Sequence, residues 1–136
     1  MLRITPLDGQ PWDVAVGAPN WWRTPVPTEI AFISDGHGFV VDVVTHEVRV
    51  DVPGVIRITE DERHDLVLLI EDGVMTAVGP HGIRWRSDLA IGDLKVRAID
   101  ARGIRCSGFL TQSDVYRGIP TLFIVEPNHG TLVRVE

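Results

Sequence analysis

The chain is poor in several residue types, and each shortage excludes something. It holds one cysteine, one tyrosine and, among its 13 basic residues, a single lysine, Lys95. A lone Cys106 cannot form an intrachain disulfide, which suits a reducing compartment. No base lies beside it in GIRCSGF, so it reads as a small buried hydrophobe rather than a nucleophile. The formal charge of −6 and the absence of any basic run argue against nucleic acid or an anionic membrane as partner. The longest apolar run, LVLLI, is far too short to span a bilayer. The opening MLRITPLDGQPWDV lacks the basic start and apolar stretch of a secretory signal. The expectation is a soluble, acidic, cytoplasmic protein.

What is present is mostly strand chemistry. With 136 residues, 44% of them hydrophobic and 24% charged, the chain fits one globular domain with a genuine core. Residues 1–28 carry Pro6, Pro11, Pro19, Pro25 and Pro27. Proline lacks an N–H donor and fixes φ, so this arm can be neither a long helix nor a central strand. A short strand at 2–5 is expected, with Trp21 and Trp22 as apolar anchor. From residue 29 onward, Val, Ile and Phe are interrupted by SDG, EDG, DARG and PNHG, which are turn sequences. Strands are expected near 29–34, 38–44, 47–52, 55–59, 66–71, 74–78, 82–87, 94–99, 103–109, 121–125 and 131–135. VRVDV and LVRVE alternate, as strands with one wet face do. DERHDL is the one stretch suited to a helical turn. The fold class is all-β: an antiparallel meander of about ten or eleven short strands, with residues 1–28 as an arm and 29–136 as a single domain.

His-Gly occurs at residues 37–38, 81–82 and 129–130, at intervals of 44 and 48 residues. Each pair follows an apolar strand and precedes a second strand, and this suggests a repeat of four strands. The segment DGVMTAVGPHGIRW resembles the strand–turn–strand of quinoprotein-like β-propeller repeats, and LFIVEPNHGTLVRVE is similar. The resemblance implies blade-like units over residues 29–136 and carries over no active site, because propellers host many functions. Residues 54–88 and 94–136 would form two such units and 29–52 a hairpin. Closed propellers have about 4–8 blades, so the chain supplies only part of a ring. A sandwich or partly open barrel is the alternative architecture.

Chemistry is sparse. His37, His46, His64, His81 and His129 show no spacing of the HxxxH kind, and neither metal nor cofactor is expected. TEDERHD surrounds His64 with carboxylates, the raw material of acid–base catalysis, yet it joins two apolar strands as a hydrophilic loop would. GxSxG, GxGxxG, Walker-type and HExxH motifs are absent, and no catalytic residue is assigned. Two places suggest recognition. Trp21 and Trp22 suit an interface, and the long loop TQSDVYRGIP offers Asp114, Tyr116 and Arg117. The expected function is a non-catalytic binding module acting through loops and sheet edges on a protein partner or on itself. The alternatives are a small hydrolase or lyase using His64 or His37, and a small-ligand binder using the tryptophans.

Overall fold

LVLLI is a strand without alternation, and its surroundings explain why. The computed structural model describes the backbone of residues 2–4, 12–14 and 20–135, and the side chains of residues 20–133. Leu66–Ile70 lies in the middle one of three stacked four-stranded sheets, and all five side chains are buried. Leu66, Leu68 and Ile70 face the third sheet, where they join Ile104, Cys106, Phe123 and Val125. Val67 and Leu69 face the first sheet and meet Ala31, Val40, Val50 and Val52. A strand covered on both faces gains nothing from polar residues at either parity, so its sequence is a continuous apolar run.

Each sheet is an antiparallel meander whose strands pair in chain order. After β1 (Leu2–Ile4) and β2 (Trp12–Val14), which pair with each other, the first sheet comprises β3 (Trp21–Arg23), β4 (Glu29–Ser34), β5 (His37–Asp42) and β6 (Val48–Pro53). The second holds β7 (Arg57–Asp61), β8 (Leu66–Ile70), β9 (Val74–Gly79) and β10 (Gly82–Asp88). The third holds β11 (Gly92–Asp100), β12 (Gly103–Phe109), β13 (Thr121–Val125) and β14 (Leu132–Val135), with the helix α1 (Gln112–Arg117) between β12 and β13. The fold is therefore all-β, built of three blade-like units, and among the described residues no barrel closes.

Trp21 and Trp22 are part of the first unit. They pair with Phe32 and Ala31, so 29–52 is three strands of a four-stranded sheet rather than a separate hairpin. The prolines on either side confine β3 to three residues at a sheet edge, where a missing N–H is tolerated. The alternation of VRVDV is realised in β6, whose valines are buried while Arg49 and Asp51 are exposed. DERHDL is a hairpin turn and not a helix, because Asp65 sits at φ +61°.

Only two of the three His-Gly pairs occupy equivalent hairpins. At 37–38 the turn residues are Asp35 and Gly36, both at positive φ, and His37 already belongs to β5. Gly38 is needed there because a Cβ would meet Val55 at 2.7 Å. The other two pairs close third-to-fourth-strand hairpins, and Gly130 combines φ +72° with contact to Trp85. The unit of the first sheet that matches the turn at 126–131 is thus 42–47. In both, the first residue's N–H bonds the last carbonyl, and the fifth N–H returns to the first carbonyl.

Candidate functional site

A meander places its first-to-second and third-to-fourth hairpins at one end and its second-to-third hairpin at the other. The sheets are joined by the short connectors 54–56 and 89–91, which lie at the end of the second-to-third hairpins. Hydrogen bonds from Gly54 N to Gly36 O (2.7 Å) and from Leu89 N to Gly73 O (2.9 Å) tie those connectors to neighbouring turns. At the opposite end, Trp85 Nε1 of the second sheet donates to Pro127 O of the third at 2.7 Å. The stack therefore has a turn end and a connector end.

Four of the five histidines belong to the turn end, and carboxylates organise it. Asp42 Oδ1 accepts from Val44 N and Thr45 N, and Glu126 accepts from Asn128 N and His129 N. Asp61 accepts from His64 N at 3.0 Å. In all three turns a residue with positive φ follows, His46, Asp65 or Gly130. These backbone bonds hold the Asp42 and Glu126 carboxyls below their ordinary range. His64 Nδ1 lies 2.8 Å from Asp61 Oδ2, and His129 Nδ1 lies 2.8 Å from Glu126 Oε2. Paired with a carboxylate in this way, an imidazole is oriented as in acid–base catalysis. Yet the same carboxylate position recurs in three turns, once with Thr45 in place of histidine, so its shared task is to satisfy turn N–H groups.

The neighbouring cavity, of about 220 Å³, is lined by Arg23, Thr24, Pro25, Glu60, Asp61, Glu62, Asp65 and Leu66. Its lining is rich in carboxylates and holds no histidine, cysteine or serine. His37, paired with Asp51 at 2.7 Å, lies at the connector end of the first sheet and does not join His64. Burial pushes the Cys106 thiol up to about 12, so it stays protonated and unreactive at neutral pH. Ser107 is engaged by Arg97 Nε at 2.8 Å. Among the described residues no group of three or more His, Cys, Asp or Glu is placed to hold a metal ion.

The connector end differs in kind. Of the large hydrophobic side chains that stay exposed, Ile56, Ile91, Val115, Tyr116 and Ile119 belong to its connectors and its longest loop. That loop is ordered by one carboxylate. Asp114 Oδ2 accepts from Leu110 N (2.9 Å), Thr111 N (3.3 Å) and Thr121 Oγ1 (2.9 Å), while Thr111 Oγ1 caps Asp114 N. The bond from Leu110 N, followed by that from Thr121, keeps the Asp114 carboxyl below its usual value. Gly118 closes the helix in the left-handed conformation. No residue of α1 is buried, and Tyr116 is 86% exposed. A six-residue helix gains little from propagation alone, so the two caps and the Asp114 bonds hold it. Beside its root lies a shallow cavity of about 280 Å³ formed by Asp88, Leu89, Ala90, Ile91 and Leu110.

The five residues singled out from the sequence do not make one site. Trp21 (41% exposed) and the partly buried Trp22 stand on the first sheet, and Trp22 packs on the core shared with the second. The side chain of Trp12 lies outside the described residues, and Trp85 is part of the core. Asp114 supports the loop, whereas Tyr116 and Arg117 are its exposed tip. The cavity residues 88–91 escaped notice because the three-residue connector that supplies most of them has no period to read. The capping pattern Thr111-x-x-Asp114 followed by Gly118 was the available signal for α1. Compared with protein-family models, with characterised proteins and with solved structures, the chain matches none.

Proposed function

We propose that the protein is a non-catalytic interaction module that engages a protein surface through its connector end, centred on Tyr116. One observation carries this reading: α1 buries none of its residues, yet it holds Tyr116 at 86% exposure on a loop fixed by internal hydrogen bonds. Clustered exposed apolar side chains mark interaction surfaces, and tyrosine and arginine are over-represented among the residues that dominate binding. Fixing the loop beforehand removes ordering cost from association. The turn end supports the non-catalytic part, since its histidine–carboxylate pairs repeat as turn caps and no histidine lines its cavity.

The test is site-specific photo-crosslinking in an extract of the source cells. A photoreactive residue at position 116 should yield a discrete adduct with another polypeptide chain, identified by mass spectrometry. The same residue at position 81, on the turn end, should not. Equal labelling from both positions, or none from 116, would overturn the reading.

A further inference from the structure

The connector end carries both halves of an interface. Its raised half is the tip of the 110–120 loop, with Val115, Tyr116 and Arg117 exposed. Its hollow half is the cavity of about 280 Å³ lined by Leu89, Ala90, Ile91, Leu110 and Asp88. The two adjoin, because Ile91 N donates to Phe109 O (2.7 Å) and Leu110 N donates to Asp114 at the base of the helix. Tyr116 stands on that same helix, α1 (Gln112–Arg117), which puts it on the order of 10 Å from Leu110 at about 1.5 Å of rise per helical residue. The charges are also opposed. Arg117 follows the tyrosine, and Asp88 edges the cavity. Asp88 makes no side-chain hydrogen bond or ion pair among the described residues, and Arg117 makes none beyond its through-space attraction to the Asp114 carboxylate.

A knob and a socket side by side on one surface satisfy the requirement of a two-fold interface, in which one patch must complement itself. We infer that the occupant of this surface is a second copy of the chain. The Tyr116 ring of each copy enters the Leu89–Ala90–Ile91–Leu110 cavity of the other, and each Arg117 meets the other copy's Asp88. The inference rests on the connector-end reading above and adds the identity of the partner. Tyrosine brings a large apolar area with few rotatable bonds, and the arginine–aspartate pairs set the register.

The experiment uses the purified full chain alone, by sedimentation equilibrium across a concentration series. A monomer–dimer equilibrium is expected. Tyr116→Ala should raise the dissociation constant about thirtyfold, the scale of losing a central aromatic anchor. Asp88→Arg and Arg117→Asp should each raise it about tenfold, and the double variant should return to within about threefold of the parent. Circular dichroism checks that the variants stay folded, as their exposure leads one to expect. Three outcomes would overturn the inference: a monomer at every concentration, a dimer indifferent to all three substitutions, or a double variant no better than the singles. A monomer whose position 116 still crosslinks a different protein would sink the second copy as occupant while leaving the interaction reading intact.

Discussion

The second and third sheets share a topology and differ in how they bury their surfaces. In the second, β8 is buried over all five residues, and both of its faces are covered by neighbouring sheets. In the third, the residues facing the second sheet are buried, yet Leu122, Leu132 and Val133 of β13 and β14 remain 41–58% exposed. The long loop of the molecule also belongs to the third sheet. The contrast teaches that stability is concentrated in the middle unit, which leaves the third free to present a surface. Hydrophobic residues occur in both, and only their environment separates core from contact surface.

The sharpest way to break this comparison is to truncate one leucine in each sheet. Leu68→Ala, at a position with no exposure, should lower the unfolding free energy by about 2–5 kcal/mol. Leu122→Ala, at a position 47% exposed, should stay within about 0.5 kcal/mol. Urea denaturation reads both, and equal losses would show that β13 contributes as much to the core through Leu122 as β8 does through Leu68.

A somewhat smaller effect is expected where the two sheets touch. An added Cβ at Gly130 would lie 2.3 Å from the Trp85 ring, at a backbone with φ +72°. Gly130→Ala should therefore cost about 2–3 kcal/mol, with loss of near-ultraviolet dichroism from the displaced indole. An unchanged stability would mean that Trp85 does not fasten the 126–131 turn.

The smallest effect belongs to the 110–120 loop. The hydrogen bond from Leu110 N, with those from Thr121 and Thr111, holds the folded Asp114 carboxyl below the ordinary value of 3.8, which the unfolded chain regains. A depressed acid contributes its stabilisation in full above the unfolded value and loses it as pH falls through the folded one. The loop should therefore hold at neutral pH and loosen only below about pH 3.8. Asp114→Asn should bring that loosening to neutral pH, seen as faster amide exchange at 110 and 111 while β8 amides stay protected. Uniform exchange across both sheets would erase the distinction between a stable core and a separately held loop.

Much of the strand pattern was legible. All eleven strands expected between residues 29 and 135 exist, with ends shifted by a few residues, because valine-rich segments bounded by Asp-Gly and Asn-His-Gly turns leave little alternative. β3 was not legible, since three residues between prolines become a strand only by pairing with β4. The helix α1 was missed because six residues show no period, although its caps were written in Thr111, Asp114 and Gly118. Of the candidate residues, Tyr116 and Arg117 were visible as members of a long loop. The cavity at 88–91 was not, because a short connector meets Leu110 from a loop distant along the chain to make it.

By itself the sequence determined an all-β chain, its turns and the four-strand rhythm, since these follow from local propensity and spacing. Tertiary structure decided which sheet is covered twice, why the His-Gly pairs are not one repeat, and which hydrophobic residues stay in water. Burial is a property of neighbours distant along the chain. The same leucine is therefore core in β8 and surface in β13.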